Sequence, residues 1–349
     1  MLVNIEKDIF AEIKFYSVQI EITGKCNLRC IHCRGNMLSH HDVTVEEIAK
    51  LCSFCEIDRG SNFIISGGEP LLNPFFFDIL TYLCKKAPRE IVITTNGTLI
   101  DNTFVDKIKR ISGPKITIQV SLDSINEDTH NQIRGNSHAY QDAIDGIKLL
   151  VANKIFSSIR STVTPVQMQE LEMIVQKGIE LGVNRVGLST IVPTGRALEL
   201  DETLFFKGET KRAFIEEYQK LKNKYHSLIE VVTHEPQKAC LENPNYTHQD
   251  SNCIYLGGCT AGVAQINMDS NGDITPCALL DIPITNIFQR SIEQAQDDYA
   301  KSVLINNLLK KNLQGKCAIC RFKDLCGGCR AVPYGLTKNP LGEDITCYL

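Results

Sequence analysis

The chain has 349 residues, with 37 Lys and Arg against 41 Asp and Glu, a formal net charge of −4. At 43% apolar and 22% charged residues it resembles globular chains that bury a core, which excludes a disordered or collagen-like protein. The acidic balance excludes a chain-wide basic footprint for nucleic acid, and no apolar run approaches the roughly 18 residues of a membrane span. The opening MLVNIEKDIFAEIKFYS lacks the basic and apolar regions of a signal peptide, so the expectation is a cytoplasmic protein with no nucleic-acid or membrane partner. Fifteen cysteines are many for a reducing compartment, where clustered thiols are metal ligands more often than disulfides.

Residues 16–23, 63–66, 91–96, 116–123, 158–164 and 185–192 read as strands. Between them, 44–57, 74–86, 102–111, 139–153 and 167–181 carry apolar residues at a helical period, as in Ile144, Ile147 and Val151. This alternation predicts a parallel sheet with right-handed crossovers: an α/β fold, a partial (β/α)6 TIM-like barrel. A charged helix over 209–226 leads to a Pro- and Asn-containing stretch. Residues 263–277 then predict a hairpin turning at Asn271-Gly272, and 292–310 predict one helix. The expected division is a barrel over 1–210, a connecting helix and linker over 211–250, and a small C-terminal cysteine-rich α+β domain over 251–349.

Cys26, Cys30 and Cys33 form C-x3-C-x2-C directly after the first strand. Three thiolates in one loop can hold three irons of a four-iron cluster and leave the fourth iron open. Zinc is the competing occupant at this stage. Barrels of this kind build their active sites at the C-terminal ends of strands, where this loop falls.

The segment TGKCNLRCIHCRG resembles the cluster loop of the radical SAM superfamily. The resemblance implies that the open iron is chelated by S-adenosylmethionine (SAM), which is cleaved reductively to a 5′-deoxyadenosyl radical that abstracts hydrogen from a substrate. It also implies roles along the barrel. His32, before the third cysteine, lies by the adenine. Gly67, Gly68, Glu69 and Pro70 look like the motif that receives the SAM amino group. Asn96 closes the third strand, and Ser121 and Asp123 close the fourth, with a hydroxyl at Ser121 reaching the ribose or carboxylate. Arg134, in His130-x3-Arg134-Gly135, meets the SAM carboxylate, and Ile191 contacts adenine through its backbone.

Cys259, Cys277, Cys317, Cys320, Cys326, Cys329 and Cys347 form a second constellation. Read alone, 317–329 also fits a four-cysteine zinc site. Behind a radical SAM barrel it resembles the SPASM domain, which implies two auxiliary [4Fe-4S] clusters and three in all. The resemblance assigns Cys253, Cys259, Cys277 and Cys329 to one, and Cys317, Cys320, Cys326 and Cys347 to the other. Cys52, Cys55 and Cys84 fall on helix faces and read as small core residues. Cys240 stands outside both motifs and is taken as a candidate hydrogen-atom donor facing the substrate space.

Such enzymes cross-link or epimerise ribosomal peptides, mature sulfatases or trim tetrapyrrole side chains. Sulfatase-maturing members place Asp after the cysteine matching Cys277, and here Ala278 stands there. Only 25 residues precede Cys26, too few for an added peptide-binding domain. The leading expectation is modification of a ribosomal peptide, by cross-link or epimerisation. Tetrapyrrole side-chain modification is the alternative, and an iron–sulfur electron carrier the reading of another class. A flavodoxin- or ferredoxin-type electron donor is the expected protein partner.

Overall fold

The computed structural model describes residues 1–6, 9–35, 39–246 and 258–349. An N-terminal antiparallel hairpin, β1 (Leu2–Glu6) and β2 (Ile9–Glu12), pairs apart from the main sheet. The main sheet contains β3 (Ser17–Glu21), β4 (Asn62–Ser66), β5 (Glu90–Thr95), β6 (Lys115–Ser121), β7 (Ser157–Val163), β8 (Arg185–Thr190) and β9 (Glu230–Val232). All seven are parallel and pair in chain order. On the other side of β3 the sheet continues through β10 (Gln265–Met268), parallel to β3, then β11 (Asp273–Thr275) and β12 (Thr285–Asn286), both antiparallel. β9 and β12 are the edges, so the sheet stays open as a partial barrel.

Alternation decides which face does what. Ile20, Ile65, Ile93, Ile118, Ile159 and Val186 are fully buried and belong to the main apolar core, between sheet and helices. Residues at the opposite parity, Gln19, Thr94, Gln119, Ser121, Arg160 and Thr162, are polar and only half-buried, and they form the inner face. The helices behind the core start on side-chain caps. Thr44 and Glu47 form a reciprocal capping box for Val45–Cys55, and Asp101 accepts from the Phe104 amide at 2.7 Å for Asn102–Arg110. Cys52, Cys55 and Cys84 lie in the main core.

Four features depart from expectation. A seventh parallel strand, β9, was too short to show a period at three residues. The 263–277 hairpin forms, but its first strand also docks parallel on β3 and lengthens the barrel sheet. The single helix expected over 292–310 is two, Ile292–Lys301 and Val303–Leu309. Ser302 adopts an extended ψ of 121° between them and caps the second through the Ile305 amide. A further helix, Glu127–Arg134, is capped by Asn126 and ends on Gly135 at φ 67°.

The cysteine-rich part is built onto the barrel. Tyr299 is fully buried, meets Phe15 edge-on at 5.5 Å and donates its hydroxyl to Gly262 O at 2.8 Å. In the helix Ala331–Thr337, a Cβ on Gly335 would overlap Pro193 O, so this helix sits directly on the chain that leaves β8. No helix among the described residues is long and apolar enough to cross a membrane.

Candidate active site

The loop after β3 carries Cys26, Cys30 and Cys33 and is pinned from three sides. Arg29 and Ile31 amides donate to Arg134 O and Ile133 O at 3.1 and 2.9 Å. The Arg196 amide donates to Cys33 O at 2.9 Å. From β4, the Gly68 and Glu69 amides donate to Thr23 O and Lys25 O, each at 2.7 Å. Glycine is required here: Gly67 has φ 147°, a Cβ on it would stand 2.5 Å from Thr23 O, and one on Gly68 would overlap Lys25 O.

Beside this loop, the carboxylate of Asp123 joins four elements. Asp123 is fully buried, its Oδ2 lies 2.7 Å from Arg134 Nη2 and 3.7 Å from His32 Nε2, and its Oδ1 accepts from the Thr162 amide at 2.9 Å. Its own amide donates to His130 Nδ1 at 3.1 Å, and its carbonyl accepts from Gln167 Nε2 at 2.6 Å. Burial pushes the Asp123 carboxyl up, but Arg134, with His32 and His130 behind it, reverses this and holds it below the usual carboxylate range. Arg134 points its other nitrogen, Nη1, at Cys30 Sγ, 3.7 Å away. Burial also drives the His130 pKa down to about 4, so the ring is neutral with Nδ1 as an acceptor.

Glu69 is fully buried and turned into the protein. Oε1 accepts from the Leu71 amide at 3.2 Å and Thr95 Oγ1 at 2.8 Å, and Oε2 from the Asn96 amide at 2.8 Å. Burial pushes its pKa up to about 7 against these donors. Asn96 is engaged likewise, with Asn27 and Thr98. Ser121 is half-buried on the inner face, Pro70 opens a short 3-10 turn, and Ile191 is buried with Ala197 and Phe205. The structure thus gathers Cys26, Cys30, Cys33, His32, Asp123 and Arg134, with Glu69 and Asn96 serving as struts between strand ends.

Arg34 was not singled out by sequence. It donates to Glu21 Oε1 at 2.5 Å, Ser66 Oγ at 3.2 Å and Ala278 O at 3.2 Å, tying the cysteine loop to the chain beyond Cys277. Its position right after Cys33 was the available signal.

The remaining thiols fall into two neighbourhoods. Cys329 is half-buried, and desolvation, with Cys259 and Cys277 beside it, disfavours its thiolate. Desolvation, with the nearby Cys326 and Cys317, likewise disfavours the thiolates of Cys347 and Cys320. Cys253 lies outside the described residues. A backbone amide two residues on points at the sulfur of Cys26, Cys320, Cys326, Cys277 and Cys347, each at 3.4 Å, from Leu28, Phe322, Gly328, Leu279 and Leu349. Cys317 Sγ receives the Asp344 amide at 3.5 Å and Arg330 Nη2 at 3.7 Å. Such donors favour thiolate over thiol. Among the described residues, no backbone amide donates to Cys52, Cys55, Cys84 or Cys240, nor to Cys30, Cys33, Cys259 or Cys329. No three Cys, His, Asp or Glu side chains among the described residues converge tightly enough to hold one metal ion.

Cys240 lies in a small buried cluster. The short helix Lys238–Glu242 turns it inward against Phe322 and Cys326, with its free thiol in hydrogen-bonding contact with that of Cys326. It therefore packs beside the second group of thiols.

The radical SAM superfamily model matches residues 20–178. The AdoMet-dependent heme synthase of Methanosarcina barkeri is 28% identical over 94% of both chains. The subtilosin biosynthesis protein AlbA of Bacillus subtilis is 27% identical over 94% of this chain and 69% of its own. The crystal structure of Streptococcus suis SuiB bound to precursor peptide SuiA superposes with a TM-score of 0.77 at 19% identity, covering 95% of this chain and 76% of that one. Residues 20–178 therefore form a radical SAM domain, and nearly the whole chain shares the fold of SuiB. The protein is an enzyme of SAM and a [4Fe-4S] cluster.

Proposed function

We propose that the chain modifies a ribosomally made peptide by hydrogen abstraction, working in the cytoplasm with a flavodoxin- or ferredoxin-type electron donor. The observation that carries the cofactor assignment is the recurrent amide-to-sulfur contact at Cys26, Cys277, Cys320, Cys326 and Cys347. It suits iron–sulfur thiolates in all three neighbourhoods. Cys26, Cys30 and Cys33 would hold the SAM-binding cluster. Cys259, Cys277 and Cys329, with Cys253, would hold one auxiliary cluster, and Cys317, Cys320, Cys326 and Cys347 the other. The division into 1–210, 211–250 and 251–349 follows these sets, although the sheet runs unbroken from β3 into β10.

With SAM and its cluster bound, the site supplies one-electron cleavage of SAM and a hydrogen-abstracting adenosyl radical. This chain's residues bind and orient. Gly67 and Gly68 let the β4 loop lie against the cysteine loop, where its backbone faces the amino group of SAM. Glu69 and Asn96 hold that loop in place, with Pro70 starting its turn. Arg134, steered by Asp123, meets the SAM carboxylate, and His32, Ser121 and Ile191 flank the nucleoside. Cys240 is assigned to the wall of the second auxiliary site.

The likeness to AlbA along nearly the whole chain favours the peptide reading. The likeness to a heme synthase over 94% of both chains keeps tetrapyrrole decarboxylation as the second. Mass spectrometry of reduced, reconstituted protein with SAM separates them. The peptide encoded beside the gene is expected to lose hydrogen or to epimerise. Release of CO2 from a propionate-bearing tetrapyrrole, with the peptide unchanged, would replace the first reading by the second.

A further inference from the structure

We propose that Arg160 binds a carboxylate group of the substrate on the inner face of the barrel. This rests on the radical SAM reading above and adds the chemical group its substrate carries.

Arg160 lies on β7, in register with Ser121 of β6 and Gly187 of β8. By strand alternation it shares the inner face with Thr162, two residues on, whose amide holds Asp123. One strand step of this kind is about 7 Å, so Arg160 sits just below the Asp123–Arg134 pair. A Cβ on Gly187 would stand 3.4 Å from Arg160 Cδ. The guanidinium thus reaches across the one inner-face position on β8 that has no side chain.

The charges around it cancel in pairs. Arg34 is matched by Glu21 at 2.5 Å, Arg134 by Asp123 at 2.7 Å and Lys211 by Glu235 at 2.5 Å. Glu235 is further engaged by the Thr190 amide and hydroxyl, each at 2.8 Å. Arg160 accepts from the Leu122 amide through its backbone carbonyl at 3.0 Å, but its guanidinium has no hydrogen bond or ion pair among the described residues. It is half-buried, with Glu235, Asp123 and Arg34 the charged groups that act on it. His234 adds no positive charge, because Arg160 above all drives its pKa down to about 4. The hydroxyls of Ser158 and Ser189, on the same face of β7 and β8, are buried without partners. One uncompensated guanidinium with idle hydroxyls on either side is a fork suited to a planar carboxylate. The group fits an acidic side chain or chain end of a peptide, or a propionate of a tetrapyrrole.

The test compares wild type, Arg160→Gln and Arg160→Lys, each reconstituted and bound to SAM. The first probe is sodium propionate, with propionamide as the uncharged control, read as a shift in thermal midpoint. Propionate alone is expected to stabilise wild type, Arg160→Lys in part, and Arg160→Gln not at all. Two arms identify the source: Fe-coproporphyrin III against its tetramethyl ester, and a glutamate-containing peptide against its glutamine counterpart. The acid form of one pair is expected to bind at least tenfold tighter to wild type, a preference that Arg160→Gln loses. The inference is overturned if Arg160→Gln keeps that preference or if neither acid form is preferred. It is also overturned if Arg160→Gln loses SAM affinity tenfold, since the anion would then be that of SAM. Release of 5′-deoxyadenosine by wild type tests the radical SAM reading separately, so the two fail independently.

Discussion

Asp123 and Arg134 meet at 2.7 Å in the interior, and the arginine's remaining nitrogen faces Cys30 Sγ. The ion pair thereby fixes the direction of a cation at the edge of the cysteine loop. Removing one partner of a buried pair leaves the other uncompensated, a loss of about 3–5 kcal/mol. Asp123→Asn is expected to lower the thermal midpoint and weaken SAM binding at least tenfold, as read by denaturation and calorimetric titration. Wild-type affinity in this variant would remove Arg134 from the SAM site.

The same cluster sets an acid limit on stability. The folded-state pKa of His130, about 4, lies below its ordinary value of 6.5. Stability from the neutral ring is present above pH 6.5 and is lost as pH falls from there toward 4. Asp123, also held low, adds a loss below about pH 4. Chemical denaturation followed from pH 7 to 4 should show falling stability in wild type and a shallower slope in His130→Asn. Equal slopes would mean that His130 titrates normally.

Glu69→Ala strands three donors, the Leu71 and Asn96 amides and the Thr95 hydroxyl. Each unmet buried donor costs about 1–3 kcal/mol. Loss of SAM affinity should therefore come with a lowered thermal midpoint. Weakened SAM binding at unchanged stability would instead assign Glu69 directly to the ammonium.

Cys240→Ala is expected to keep full iron content and to form product, because Cys240 faces Cys326 and Phe322. The electron paramagnetic resonance signal of one auxiliary cluster should shift, since thiol contacts to ligating sulfur tune such centres. Hydrogen abstraction without return of hydrogen in this variant would restore the donor role.

The barrel was legible because each buried strand, such as IVITT or ITIQVS, pairs an apolar outer row with helical apolar stripes between strands. The cysteine spacings carried the site for the same reason, since loop ligands of one cluster must be close in sequence. Asp123 and Arg134 came from resemblance alone, because their 2.7 Å contact joins a strand end to a helix that no apolar period announced. Arg160 and Glu235 stayed hidden because inner-face pairing depends on strands distant in sequence. The packing of Cys240 against Cys326 was not legible, because it joins segments far apart in sequence where no periodic pattern sets direction.

Iron content tests the ligand assignment. Anaerobically reconstituted wild type should bind about 12 irons, and the Cys26, Cys30 and Cys33 triple alanine variant about eight. Wild type holding about four irons together with zinc would refute the auxiliary clusters.

The most direct test of the central claim is release of 5′-deoxyadenosine from SAM by the reduced, reconstituted protein, measured by liquid chromatography. Wild type is expected to release it, and the triple alanine variant is expected to release none while keeping its auxiliary iron. A wild-type protein that holds its irons and binds SAM but releases no 5′-deoxyadenosine, or a triple variant that releases it as fast as wild type, would contradict the account.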